Sequence, residues 1–434
     1  MVAELVVQAT EETDETSEQR WNPLLRMVFR YGFVVLGVGM AGVLVFHALL
    51  RSLGVPTQTV LDVAEWTSLH PLTDWIGEHV FGTRVSWAAT GSGDTAANWV
   101  SAFTWLLIAV PITAVWSVLD RARPNYARLY GWFRLILRFA LVGALLLYGM
   151  TKLLPSQMAF SLERLVEPFG DMSPMAVLWS QTASSQPYEM ALGAAEVTAG
   201  LLLILPITAG VGAVLAVVVA AQVFLLNLTF DVLVKLFAFQ LLVYAVVLAA
   251  PDIVRILRAL IGRAVPVRKP EGLVTGVRAH RILLAAQVLI GVWLLGTTVS
   301  EGHDAWAHYG DGRPHSALYG IWDVTDYSGN PGDRLRRIIF DLPQAVTTQR
   351  PDDALQDLPV LIDTDRHTIT ITRDPAHLWP IATLTYEQPD TDHLILDGRL
   401  SGRPVRMTLT RRDLDRFQLV SRGFHWVQPV PYLR

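Results

Sequence analysis

The chain contains no cysteine. Disulfides, thiolate metal sites, iron–sulfur clusters and cysteine nucleophiles are therefore excluded. Lysine is nearly absent as well: Lys152, Lys235 and Lys269 are the only three, so arginine supplies the rest of the 35 basic residues. Charge of either sign is scarce. Charged residues make up 17% of the 434 and hydrophobic ones 52%, against about a quarter charged in ordinary globular chains. The net charge of -4 gives no case for a nucleic-acid partner. No Gly-x-Ser-x-Gly elbow, P-loop or dinucleotide fingerprint is present, and Gly91-Ser-Gly and Gly329-Asn-Pro-Gly read as turns. This composition is that of a membrane protein with a soluble part.

What the chain does have is long apolar runs. Seven stretches, at about 27–50, 98–119, 130–153, 187–205, 210–229, 231–250 and 281–300, reach the length of a spanning helix, which needs roughly 20 apolar residues. Pro206 and Gly210 separate the fourth from the fifth, and Asn227 and Asp231 mark the turn into the sixth. Such short turns make these helices antiparallel neighbours. Residues 1–20 are polar and acidic and read as a disordered tail. Residues 21–300 form the membrane domain. Arg20, Arg26 and Arg30 precede the first run, Arg121, Arg123 and Arg128 fill the loop after the second, and a dense group from Arg255 to Arg281 precedes the seventh. By the positive-inside rule the N-terminus is cytoplasmic, and seven crossings place the C-terminal part outside. The loop 55–95 carries Val60, Leu61, Trp66, Leu69, Leu72, Trp75, Ile76 and Val80 among acids, the pattern of an amphipathic segment lying on the outer membrane surface.

After a linker at 301–314 the pattern changes. Residues 315–434 hold short β-prone runs: Ile321–Val324, Arg337–Phe340, Val360–Ile362, Thr368–Thr372, Ala382–Tyr386, Leu394–Leu396, Val405–Thr410 and Phe417–Val420. Val405–Thr410 alternates apolar and polar residues, the period of a half-buried strand. About eight strands in so short a region predict an all-β antiparallel barrel or sandwich. The expected fold is thus a polytopic helical bundle followed by a C-terminal β domain.

Ionisable residues within the apolar runs are the first place to look for function, because each costs about 3 kcal/mol on insertion scales. They are Arg138, Lys152, Glu189, Glu196, Asp231 and Lys235. At 1.5 Å rise per residue, Glu196 lies roughly 10 Å deeper than Glu189 on nearly the same helical face. Lys152, Glu189, Asp231 and Lys235 fall in one outer layer, with Asp231 and Lys235 at pairing distance along a helix. Gln222, Asn227 and Gln240 add hydrogen-bonding groups. One reading is a polar cavity for a headgroup, with Lys152 or Lys235 holding an anion or ring oxygen and Glu196 exchanging a proton. The other is a charge-paired bundle core whose outer members snorkel to the interface. Two further clusters have metal-ligand types, His70, Asp74, Glu78 and His79 on the amphipathic segment, and His303, Asp304, His308 and His315 after the last run. A solvated helix face for the first and a polar linker for the second are the preferred explanations.

The run Phe133–Leu153, closing in Gly149-Met-Thr-Lys152-Leu, resembles the first helix of the DoxX family, which opens with an arginine and ends in Gly-x-x-Lys-Leu. Ala195-Glu196-Val-Thr-Ala-Gly200 followed by leucines is similar to the family's second helix. Residues 130–250 then correspond to the family's four-helix unit, with two helices added before it, one after it, and the β domain. The resemblance implies a bacterial plasma-membrane protein, a lipophilic quinone as the recurring ligand, and service as membrane subunit of a redox complex with a possible soluble partner. Under it Glu196 and Lys152 are the candidate catalytic residues, and Arg138, Glu189, Asp231 and Lys235 the candidates for holding the ligand. Gly320-Ile-Trp322 with a later arginine, taken as Arg422, resembles the lipocalin pattern in which the first-strand tryptophan packs on a basic residue. A non-enzymatic alternative is a membrane anchor presenting a ligand- or partner-binding barrel.

Overall fold

The computed structural model describes residues 20–52, 54–88, 90–265, 273–374, 376 and 379–432. Apart from Arg20, the acidic tail expected at 1–20 lies outside the described residues. In chain order the helices are α1 (Pro23–Gly32), a π-helical stretch (Phe33–Met40), α2 (Ala41–Ser52), α3 (Thr57–Thr67), α4 (His70–Val80), α5 (Ala96–Leu119), α6 (Ala127–Leu153) and α7 (Pro174–Ala183). They continue with α8 (Gln186–Ile204), α9 (Ala209–Thr229), α10 (Lys235–Leu260), α11 (Val277–His308) and the short α12 (Gln418–Ser421). Seven candidate spans, long and apolar enough to cross a bilayer, are found among the described residues: Pro23–Leu50, then α5, α6, α8, α9, α10 and α11. The protein is a multi-pass membrane protein. The stretch 301–308, read from sequence as linker, continues α11.

The chain divides into two compact units, residues 1–150 with 192–299, and residues 151–191 with 300–434. Within the first, arginines tie off helix ends. Arg30 is buried, yet its Nε donates to the Tyr126 hydroxyl at 2.8 Å, Nη1 to Ser117 Oγ at 2.8 Å and Nη2 to the Asp120 carbonyl at 3.0 Å. Arg26 Nη1 donates to the Arg123 carbonyl at 2.7 Å. These bonds satisfy carbonyls at and beyond the end of α5, where helical partners run out and positive charge is favoured. The amphipathic segment expected at 55–95 holds two helices rather than one. They break at Leu69, whose φ of 54° is left-handed. The aromatic residues Trp66 and Trp75 remain exposed.

The second unit contains a closed antiparallel barrel of β1 (Gly320–Ser328), β2 (Arg337–Phe340), β3 (Ala345–Gln349), β4 (Leu355–Asp363), β5 (Thr368–Thr372), β6 (Pro380–Asp390), β7 (His393–Leu400) and β8 (Arg403–Arg411), in that order around the wall. β1 pairs with both β2 and β8, so no edge stays open. Side chains alternate across the wall. Trp322, Ile338, Phe340, Leu384 and Met407 belong to the buried interior. Ile321 and Ile339, each one residue out of phase, face outward under Leu162, Leu165, Val166, Leu414 and Phe417. The segment 151–191 is thus part of this unit, held to the barrel by an apolar patch. Polar bonds extend it: Leu162 N donates to Asp341 Oδ2 at 3.1 Å, and Gln349 Nε2 to the Val166 carbonyl at 3.2 Å.

Seven of the eight expected strand runs are strands. The eighth, Phe417–Val420, is helical instead, Phe417 being the N-cap of α12 and the rest lying within it, and the missing wall position is taken by β3. The expected stacking of Arg422 on Trp322 is not found. Arg422 lies past the last strand with its guanidinium carbon 3.8 Å from the centroid of the Tyr432 ring. Trp322 is buried in the barrel and donates its Nε1 hydrogen to the Leu318 carbonyl at 2.9 Å. The cross-strand partner of Trp322 is Arg411, at the end of β8.

Candidate functional site

Lys152 ends α6, and Glu189 lies in the first turn of α8. Both are buried, Glu189 to 1% exposure and Lys152 to 6%. A carboxylate in a first helical turn faces the unpaired amides at the positive end of the helix dipole. The connection between α6 and α8 folds back to meet it. Ser156 N and Gln157 N both donate to the Thr151 carbonyl, at 3.0 and 3.1 Å. Trp179 Nε1, on α7, donates to the Gln157 carbonyl at 3.2 Å. This returns the chain so that the backbone N–H of Met158 hydrogen-bonds the Glu189 carboxylate, with Lys152 and Asp311 as the neighbouring charges. Asp311 is itself fixed, its N donating to the Pro155 carbonyl at 3.0 Å and its Oδ2 accepting from Gln186 Nε2 at 3.0 Å. One atom in this arrangement has no partner: Glu189 Oε1, fully buried. An unmade bond to a buried polar atom costs about 1–3 kcal/mol, more when the group is charged.

Glu196, seven residues along α8, is described with the helical unit and is 4% exposed. It packs beside Gly149, where α6 and α8 are close. A Cβ added to Gly149 would stand 2.9 Å from the Cβ of Glu196 and 2.9 Å from the Val197 backbone nitrogen. The Gly-x-x-Lys close of α6 therefore has a packing cause, since only glycine permits that approach.

Asp231 and Lys235 do pair, Lys235 Nζ standing 2.8 Å from Asp231 Oδ1. They belong to the helical unit, whereas Lys152 and Glu189 belong to the barrel unit. Asp231 is 80% exposed and backbone-strained at φ 51°. The residue that organises this group is Asp94, in the loop before α5. Its Oδ2 accepts from Lys235 N at 2.7 Å, its Oδ1 from Leu236 N at 2.9 Å, and Lys235 Nζ lies 3.5 Å away. Asp94 thus caps α10 from the distant loop before α5, an arrangement that holds helices together. Arg138 donates to Gln287 Oε1 on α11, and Gln287 is buried at 4% exposure. That pairing across two spans also went unread.

The histidine clusters resolve into ring contacts. His70 stacks on Trp87 at 3.4 Å, Trp87 Nε1 donates to Asp74 at 2.9 Å, and His79 stacks on Trp75 at 4.7 Å. His303 meets Trp306 and His315 meets Tyr319. Among the described residues no three His, Asp or Glu side chains are grouped to hold a metal ion. In the barrel unit an open cleft of about 970 Å³ is bounded by Asp323, His393, Arg411, Arg412 and Phe417. Its charges are mutually engaged, with Arg412 Nε donating to Asp323 Oδ2 at 2.9 Å. Comparison with family models, with curated proteins and with solved structures finds no match to this chain.

Proposed function

We propose that this multi-pass protein binds a lipophilic molecule with a small polar head, a quinone being the class expected, and serves a redox complex as membrane subunit or accessory. The observation that carries the reading is the buried Glu189 Oε1, which has no hydrogen-bond partner and stands near Lys152. The pair suits both redox forms of such a head. A lysine ammonium donates to a quinone carbonyl, and a carboxylate oxygen accepts from a hydroquinone hydroxyl. Reduction of the ring takes two electrons and two protons. The electrons come from a soluble redox partner, one proton comes from the Glu189 carboxyl and the other from the Lys152 ammonium, and both groups are reprotonated from water. Glu196 lies further along the same helix, and its part in this reading is to exchange a proton with the bound head. The resemblance of Gly149–Leu153 and Ala195–Gly200 to DoxX helices supports the same class of ligand. In this reading the N-terminus is cytoplasmic and the barrel extracytoplasmic, because the arginine-rich loops alternate along the chain, and the membrane is a bacterial plasma membrane, as the DoxX resemblance implies.

The barrel is a weaker candidate for the lipophilic ligand. An eight-stranded barrel is just wide enough to be filled by side chains or to hold one small molecule. Here Trp322, Phe340, Tyr386 and Met407 are among the residues buried in its core.

The test is purification of the full chain in mild detergent, with extraction and mass spectrometry of bound small molecules, beside Glu189→Gln and Glu196→Gln variants. A quinone-class lipid retained by the wild type and lost from Glu189→Gln is the expected result. Equal quinone content in wild type and Glu189→Gln overturns the assignment of the site.

A further inference from the structure

Among the described residues of the barrel unit, Phe169, Tyr188, Met190 and Tyr309 are exposed outside the barrel itself, and the densest run of exposed large apolar side chains follows the last strand. On the barrel wall and its turns only Leu361 and Trp379 are exposed among the described residues, at 48% and 70%. Past the last strand the pattern reverses. Leu419, Val420, Phe424, Trp426, Val427 and Val430 are all exposed, with Trp426 at 90%. The change happens at a definite point. Leu414 and Phe417 still pack on the outward-facing Ile321 and Ile339, and Arg412 lies over the Phe417 ring. From Gln418 onward the chain turns its apolar side chains to the outside.

This segment has a shape of its own. Arg422 stacks on the Tyr432 ring, bringing the two ends of 422–432 together, and Gly423 supplies a left-handed turn at φ 66°. Phe424 and Trp426 meet edge to face with centroids 5.0 Å apart. Pro429 and Pro431 restrict the returning strand of the loop. The loop is therefore ordered by its own contacts while Phe424, Trp426 and Val427 remain uncovered. Its charge is one-sided too. Residues 417–434 contain no Asp or Glu, and hold Arg422 and Arg434.

Exposed apolar clusters of this kind mark interaction surfaces, and three features select the occupant. Tryptophan and tyrosine accompanied by arginine are the residues that concentrate where hydrocarbon meets headgroups. The absence of acids complements anionic headgroups. The same chain carries seven candidate membrane spans, so a bilayer is the apolar surface in constant supply. We propose that residues 419–432 are a membrane-interface anchor that seats Phe424, Trp426 and Val427 among the lipid headgroups of an anionic membrane, with Arg422 at the phosphates. The barrel is then fixed to the membrane at its C-terminal end as well as through the chain that enters it.

The absence of native cysteine makes the test clean. The full-length protein carrying Val427→Cys, and separately Asp365→Cys on the β4–β5 turn, is labelled with a nitroxide. Each is reconstituted in vesicles of phosphatidylcholine alone and of equal parts phosphatidylcholine and phosphatidylglycerol. Collision rates with oxygen and with a water-soluble nickel complex are then read by power saturation. Seating in lipid gives a label at 427 that keeps its oxygen collisions and loses its nickel collisions relative to 365, with the larger loss in the anionic vesicles. A label at 427 as open to nickel as 365 in both vesicles overturns the proposal. So does a label shielded from both reagents, because burial against protein, a second copy included, excludes oxygen and nickel alike.

Discussion

Gly149 and Glu196 are in contact through backbone and Cβ: a methyl group on Gly149 would come within 2.9 Å of both the Glu196 Cβ and the Val197 backbone nitrogen. The second of these atoms cannot swing aside. Gly149→Ala should therefore push α6 and α8 apart and lower stability by about 1–3 kcal/mol, the usual cost of overpacking. Thermal unfolding of the purified protein measures it. A variant that melts with the wild type would show that the helices are not this close. Quinone content should fall with the same variant, because Glu196 moves with α8.

The group around Lys235 makes a contrasting prediction. Asp94 accepts two backbone N–H bonds at the start of α10, so Asp94→Ala should cost about 0.5–2 kcal/mol, the range for loss of an N-cap. Lys235→Met removes an ion pair whose partner Asp231 is largely exposed, and exposed pairs contribute about 0–1 kcal/mol. Its stability should change little. If Lys235 were a ligand residue rather than part of a helix clamp, Lys235→Met would instead deplete the bound lipid at unchanged stability, which mass spectrometry would detect.

How much of this could be read from sequence depends on what each element rests on. The spans are legible because apolar length alone specifies them, and each observed helix overlaps its expected run. β3 was not legible. Its five residues, Ala345-Val-Thr-Thr-Gln, carry few large apolar groups. Thr348 and Gln349 are nonetheless buried, Gln349 because its amide is paired with Arg337 and the Val166 carbonyl. Phe417–Val420 failed in the opposite direction. It has strand-like composition, but β1 and β8 already close the wall and leave no edge for it to join. The Lys152–Glu189 group was half legible. The ionisable residues stand out against apolar surroundings, but Asp311 and the returning Met158 amide come from chain that sequence does not place beside them. Asp94 left a faint signal, an Asp-Thr pair following Gly91-Ser-Gly, which reads as a turn and does not reveal that α10 is the helix it caps.

Glu163 gives a prediction for pH. It lies outside the spans, in the segment that packs on the barrel. Burial and then the nearby Asp357 raise its carboxyl above the usual value of 4.5, against the opposing pull of Arg164, Thr347 and Ser161. Thr347 Oγ1 stands 3.1 Å from Glu163 Oε2 and 2.6 Å from Asp357 Oδ1. One hydroxyl hydrogen cannot serve both carboxylates, so a proton on Glu163 completes the set. The folded state therefore binds this proton more tightly than the unfolded one. The stabilisation is fully present below the unfolded value near 4.5 and is lost as pH rises through the higher folded value. Glu163→Gln, which fixes the neutral form, should raise stability at neutral pH and flatten its pH dependence above 4.5. Melting curves at pH 5 and pH 8 check this. An equal slope in both proteins would assign the pH dependence elsewhere.

The barrel closure carries the last prediction. Gly320 opens β1 at φ 147°, and the Arg411 Nε lies 2.9 Å from the position a Cβ would occupy there. Two costs coincide at this residue. Backbone in this region is held almost entirely by glycine, at about 1–3 kcal/mol for other residues. In addition, the guanidinium that crosses it would have to leave. Gly320→Ala should thus destabilise the barrel by at least that range, and Arg411→Ala alone by less, since it removes a side chain without straining the strand. The double variant separates the two costs. If Arg411 is the steric obstacle, Gly320→Ala costs less in the Arg411→Ala background than in the wild type. If backbone strain alone is responsible, the two changes add. Either Gly320→Ala melting with the wild type, or a cost that grows in the double variant, would contradict the seating of Arg411 over Gly320 as the contact that joins the first strand to the last.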